Sequence, residues 1–191
     1  LGKNAHILEN PEITPKYANL HRGLCKPAAE EGDFVVTVDV ASANMLPDCF
    51  KHLTFDLRID HHGNATSFTP VELVEPGATA CGEIVYKICK YFGKLTPAVA
   101  LPLYVAVSTD TGCFVYSNTS ADCHRVAAEL MATGIDFYPI NRKHFRTKSL
   151  KRLQLESMLT AGMNVYDEGQ TVIVSLTLDM MSQVGAKEED I

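Results

Sequence analysis

Carboxylates and imidazoles stand at three separate points of this chain: Asp39, the run Asp60-His61-His62, and Asp110. A tandem histidine pair led by an aspartate is costly to bury unless its polar atoms are paired or hold a metal. Imidazole and carboxylate together suit manganese, zinc or iron(II), provided the histidines are neutral and the aspartates ionised. Each outer aspartate taken singly has a plainer reading. Asp39 serves equally to end a strand, and Asp110-Thr111-Gly112 is an ordinary turn sequence. The triplet itself can be read as a surface turn. Taken together, the three points are expected to converge on one cleft.

The elements that would bring them there are legible in the apolar pattern. Phe34-Val35-Val36-Thr37-Val38 is a nearly continuous apolar, β-branched run, as in a buried parallel strand, and it ends on Asp39. Leu57-Arg58-Ile59 is a second short strand that ends on Asp60. In open α/β sheets, ligands bind beyond the carboxyl ends of the strands. Pro76-Gly77 marks a turn, and Thr79 is placed to cap the helix that follows. Ile84, Val85, Ile88, Cys89 and Phe92 then share one helical face, closed by Gly93. The segment opened by Pro97 is apolar nearly all round, so periodicity does not separate helix from strand, but its length favours a buried helix ending at Asp110. Further helices are expected over 121–133, closed by Gly134, and over Ser149–Gly162, with Leu150, Leu153, Leu155 and Leu159 apolar. Asn4 to Leu8 and Thr171 to Thr177 read as strands, and Asp179-Met180-Met181 opens a helical turn.

Composition bounds the rest. Of 191 residues 46% are hydrophobic and 21% charged, enough apolar side chains to bury a sizeable core. No apolar run approaches the roughly 20 residues that cross a bilayer, and no signal-peptide pattern opens the chain. A soluble cytoplasmic protein without a membrane partner is expected. The six cysteines form no CxxC pairs. They read as reduced, small apolar side chains rather than zinc ligands. The net charge of −6 argues against a protein that coats long nucleic acid by electrostatics alone. Basic residues concentrate instead in one stretch: Arg142, Lys143, Arg146, Lys148, Lys151 and Arg152 are six of the 17. A solvated helix face explains such a run; contacts from Arg146 and Lys148 to phosphates of a short oligonucleotide are the functional alternative.

The ordered set of motifs resembles the DHH phosphoesterase family. The resemblance is to the group with a second, DHHA1-type domain, which includes nano-RNA degrading enzymes and phosphoadenosine phosphate phosphatases. Val38-Asp39-Val40-Ala41-Ser42 is similar to the family's second motif, Ile59-Asp60-His61-His62-Gly63-Asn64 to the third, and Thr109-Asp110-Thr111-Gly112-Cys113-Phe114 to the fourth. Tyr116-Ser117-Asn118-Thr119 and Phe145-Arg146-Thr147-Lys148-Ser149 also resemble segments of this group.

The resemblance implies an α/β fold with a parallel sheet flanked by helices over residues 1–148. A linker helix over 149–163 would lead to the start of a second α/β domain over 164–191. It implies two manganese ions in the full-length protein, or other divalent metals. Asp39 would bind both, and His61 and Asp110 would each ligate one. Asp60 would orient a histidine from behind, and His62 would face the substrate phosphate. Arg146 and Lys148 are candidates for substrate binding. The implied reaction is phosphoester hydrolysis by metal-activated water. Its substrates would be short single-stranded RNA, 3′-phosphoadenosine 5′-phosphate or a cyclic dinucleotide. A manganese inorganic pyrophosphatase and a non-catalytic scaffold are the alternatives, and a homodimer is the assembly considered. The family's first motif is expected before Leu1, where a helix would end at Gly2, and the glycine-rich motif of the second domain after Ile191. The sequence is therefore read as the middle of a longer protein, with residues 1–191 inactive by themselves.

Overall fold

In chain order, β1 (Ile7–Leu8), α1 (Ala18–His21) and β2 (Cys25–Lys26) come first, with β1 parallel to β2. The strands β3 (Val36–Val38), β4 (Leu57–Asp60) and β5 (Val71–Val74) form a second parallel sheet in the order β3-β4-β5. Val38 stands opposite Ile59, and the Asp39 amide donates to the Ile59 carbonyl at 2.9 Å. That register sets Asp39 and Asp60 side by side at one end of the sheet, its carboxyl end. The computed structural model describes residues 2–13, 15–187 and 190–191.

The strand expected over Phe34–Val38 is shorter and less buried than its composition suggests. Thr37 is buried, whereas Val36 and Val38 are exposed and Phe34 is 67% exposed. The reason is that β3 is an edge. Val35 and Asp39 bond towards β4, so by strand alternation the polar groups of Val36 and Val38 point the other way. On β1, Ile7 and Glu9 bond towards β2, leaving His6 and Leu8 pointing outward. A cavity of about 1010 Å³ is lined by both β1 and β3, with Leu46, Phe50 and Phe55 on its walls. The run Asn4 to Leu8 likewise keeps only Ile7–Leu8 as strand. The expected helix end at Leu1 lies outside the described residues; Gly2 has φ +71°.

Four helices complete this part: α2 (Cys81–Tyr91), α3 (Pro97–Asp110), α4 (Ala121–Ala132) and α5 (Tyr138–Asn141). Proline at the first position of α3 suits its orphan amide. Ala100, Leu103, Tyr104 and Val107 of α3 are buried against Tyr86 of α2 and Cys123, Val126, Ala127 and Leu130 of α4. Ile84 and Cys81 of α2 pack on Ile59 of β4. A Cβ on Gly82 would lie 2.9 Å from that of Ala106, so α2 and α3 approach as closely as only glycine allows. Thr79 does not cap α2, whose N-cap is Ala80 without a side-chain bond. Its hydroxyl instead donates to Ser120 Oγ at 3.2 Å, and Ser120 caps α4. Phe92, expected on the buried face of α2, is 48% exposed because the chain turns away at Gly93, φ +61°.

The chain divides into two compact units, Leu1–Phe145 and Arg146–Ile191. The second holds α6 (Leu150–Ala161), an antiparallel pair β6 (Asn164–Tyr166) and β7 (Thr171–Ile173), and α7 (Leu178–Val184). Ser149 caps α6 by accepting from the Arg152 amide at 3.0 Å. Of the apolar residues expected to face inward, Leu155 is buried, while Leu150 and Leu153 are 71% and 50% exposed. The strand expected through Thr177 stops at Ile173 and is exposed throughout. The charged run after Lys187 includes Glu188 and Glu189, which lie outside the described residues. No helix among the described residues is long and apolar enough to cross a membrane.

Candidate metal centre

Three elements deliver the side chains. Asp39 follows β3 in the left-handed region, φ +65°, a conformation that aspartate tolerates better than most residues and that concentrates at functional sites. Asp60 ends β4, with His61 and His62 one and two steps beyond. Asp110 ends α3, after which Gly112, Cys113 and Phe114 run left-handed at φ 54°, 58° and 67°. Buried Thr111 holds that reversal. Its hydroxyl donates to the Val107 carbonyl at 2.7 Å and accepts the Phe114 amide at 3.1 Å.

A residue that sequence reasoning took only as part of a strand fixes the loops. Arg58 is 2% exposed. Its Nη1 donates to the carbonyls of Ala41 at 3.0 Å and Thr66 at 3.1 Å, and Nη2 pairs with Glu72 at 2.9 Å. It therefore ties the segment after β3 to the segment after β4, the two segments that carry Asp39 and His61. A guanidinium inside the apolar triplet Leu57-Arg58-Ile59 is the available signal, since such a charge is rarely buried without an ion partner and hydrogen bonds.

The two histidines are held differently. His61 Nδ1 lies 3.2 Å from the Ala78 carbonyl, which makes that nitrogen the donor and leaves Nε2 as a lone pair. That Nε2 faces Asp39 Oδ1 at 3.3 Å and Asp110 Oδ2 at 3.6 Å. Lone pairs so placed repel unless a cation sits among them or the ring takes a proton. The donor set, neutral imidazole with carboxylates, therefore fits a divalent cation. Nitrogen and oxygen ligand atoms of Asp39, His61 and His62 all lie within 4.8 Å of one another, and Asp110 joins through His61.

Asp60 is fully buried and accepts from the His61 amide at 2.8 Å and from His62 Nδ1 at 2.7 Å. Burial opposes its ionisation, but these bonds outweigh it, and the carboxyl is held below the usual range. The same bond to Asp60 raises the His62 pKa. Burial, then the charge on Asp39, raises Asp110. The rises at His62 and Asp110 are what crowding anions into one partly dry cleft does. Arg146 and Lys148 belong to the second unit, where Lys148 Nζ pairs with Glu156 at 2.7 Å. No disulfide links the six cysteines; Cys81 and Cys123 are buried, but Cys49 is exposed and so is no core side chain.

Among known proteins, the chain is 32% identical over 164 residues to the bifunctional oligoribonuclease and PAP phosphatase NrnA of Thermus thermophilus, a match covering 84% of this chain and 50% of that protein. The chain belongs to the DHH phosphoesterase family. The NrnA of Bacillus subtilis is 23% identical over 73% of this chain and 46% of its own length. The DHH chain described here thus spans about half the length of the curated relatives it matches. No family model matches it. An exopolyphosphatase-related protein from Bacteroides fragilis superposes with a TM-score of 0.74 at 24% identity, covering 84% of this chain and 49% of that one. A Methanococcus jannaschii putative family II inorganic pyrophosphatase superposes with a TM-score of 0.58 at 18% identity, covering 84% and 59%. These structural likenesses share the DHH fold, a parallel sheet flanked by helices.

Proposed function

We propose that the protein containing this chain is a cytoplasmic, divalent-metal phosphoesterase that hydrolyses short oligoribonucleotides and the phosphate of a 3′-phosphoadenosine 5′-phosphate nucleotide. The observation that carries this reading is the convergence of the His61 Nε2 lone pair on Asp39 and Asp110, in a chain 32% identical to a named oligoribonuclease and PAP phosphatase. Asp39, His61 and Asp110 would hold the metal, with manganese the ion best matched to an imidazole and carboxylate set in this family. When bound, such an ion activates water and offsets phosphoryl charge.

The protein's own residues divide the remaining work. His61 is aimed by the Ala78 carbonyl, which fixes Nδ1 as the donor. His62, its Nδ1 tied to Asp60, turns its other edge outward, towards where a phosphate oxygen would sit. Asp60 orients His62 and raises its pKa, which suits contact with an anion. Arg146 remains a candidate for contact with substrate, as does Lys148 once released from Glu156.

Product analysis with the protein in its natural length tests the reading. Di- to pentanucleotides, 3′-phosphoadenosine 5′-phosphate, cyclic dinucleotides and pyrophosphate would each be supplied with manganese. Release of mononucleotides from short RNA supports it. Hydrolysis of pyrophosphate alone would favour the pyrophosphatase alternative, and no turnover of any would leave a scaffold.

A further inference from the structure

The basic stretch that begins at Arg142 is not simply a solvated face. Residues Arg142–Arg146 form a π-helical turn, a rare geometry frequent at functional sites. Within it, Lys143 Nζ donates to the Lys16 carbonyl at 2.9 Å, a contact that spans 127 positions of sequence. The His144 ring stacks on Tyr17, with centroids 5.4 Å apart and planes 18° from parallel. The Lys16 ammonium lies over that same tyrosine, 5.8 Å from its centroid. Two exposed lysines are thereby gathered around one aromatic stack.

This cluster is anchored to the helix that carries Asp110. Asn141, just before the π turn, exchanges hydrogen bonds with the Tyr104 hydroxyl of α3 at 3.0 and 3.3 Å. Burial, and then the charge on Asp110, raises the pKa of Tyr17, in keeping with that anchoring. Several cations of this unit are bound in ion pairs elsewhere. Arg58 is buried against Glu72, while Lys87 pairs with Glu75 and Lys90 with Glu129. A substrate with a second, non-reacting phosphate gains from positive charge placed beside the centre that gathers Asp39, Asp60 and Asp110.

We propose that Lys16, Tyr17 and Lys143, braced by His144, form a subsite beside the metal centre for the second, non-reacting phosphate of a nucleotide substrate. This rests on the phosphoesterase reading above and adds to it which phosphate is gripped, and by what. Lysine ammonium groups act there as point charges, while the tyrosine ring sets their spacing.

The test compares two substrates in the natural-length protein with manganese: the dinucleotide pApA, which has a second phosphate, and bis(p-nitrophenyl) phosphate, which has none. Lys143→Gln and, separately, Lys16→Gln should each raise KM for pApA about tenfold while changing kcat less than twofold. KM for bis(p-nitrophenyl) phosphate should change less than twofold, and Lys143→Arg should restore the pApA value. An unchanged KM for pApA in both glutamine variants, or equal losses on the two substrates, overturns the subsite. Wild-type protein that turns over neither substrate overturns the phosphoesterase reading as well.

Discussion

His62 Nδ1 donates to the buried Asp60 carboxylate at 2.7 Å, so the two residues form one unit in which the aspartate dictates which edge of the imidazole faces outward. His61 is set in the same way by a neutral partner, the Ala78 carbonyl at 3.2 Å. One histidine is thus backed by a charge and the other by a dipole. This difference suits the first to an anion and the second to a metal.

Replacing Asp60 by Asn keeps the shape and removes the charge. Partners behind a ligating or substrate-facing imidazole are typically worth about 10- to 100-fold in metal affinity or activity. Asp60→Asn should therefore lower kcat/KM by about that factor while the fold is retained. Steady-state kinetics alongside circular dichroism would check it, and wild-type kinetics in the variant would contradict it.

Arg58 is the structural counterpart. Arg58 is buried and supplies the donors for two loop carbonyls, and leaving buried acceptors without their donor costs about 1–3 kcal/mol. Arg58→Met should lower the stability to urea by about that amount, read from the denaturation midpoint. A shift under about 1 kcal/mol would mean that the loops hold themselves.

Gly112 has φ +54°, and a Cβ there would lie 2.5 Å from the Tyr116 ring. Tyr116 is 59% exposed and can swing aside, so the lasting cost of Gly112→Ala is the left-handed backbone, about 1–2 kcal/mol. Because Asp110 stands two residues earlier, the same variant should also weaken metal binding. Thermal unfolding and a metal titration on one sample would read both effects.

Burial, then the charge on Asp39, pushes the Cys81 thiol up to about 12. Its sulfur also donates to the Ile59 carbonyl at 3.2 Å. A thiol pKa raised on folding stabilises the folded state below the unfolded value, about 8.5. That contribution is lost as pH rises from there towards 12. Stability should accordingly fall through that alkaline range, and Cys81→Ala should flatten the slope. At pH 8, iodoacetamide should modify exposed Cys49 in the native protein and reach Cys81 only on unfolding; equal labelling would contradict this.

Much of this was legible in residue order because aspartates ended apolar segments. Val38-Asp39, Ile59-Asp60 and the long apolar run into Asp110 all placed charge at the rim of a core, and the helix length of Pro97–Asp110 settled what periodicity left open. The misses share a cause, which is that local composition does not report what lies alongside. Phe34 and Val36 looked buried, yet they front a cavity at an open sheet edge. Thr79 looked like a cap, yet its partner, Ser120, lies 41 residues away. Arg58 looked incidental because its acceptors, Ala41, Thr66 and Glu72, come from three segments. The meeting of Lys143 with Lys16 was likewise invisible.

The most direct measurement of the central claim is a manganese titration followed by electron paramagnetic resonance, comparing the natural-length wild type with His61→Ala. The account predicts that the wild type withdraws manganese from the free-ion signal, and that His61→Ala weakens this at least about tenfold. Equal affinity in the two proteins, or no withdrawal by the wild type at millimolar manganese, would contradict it.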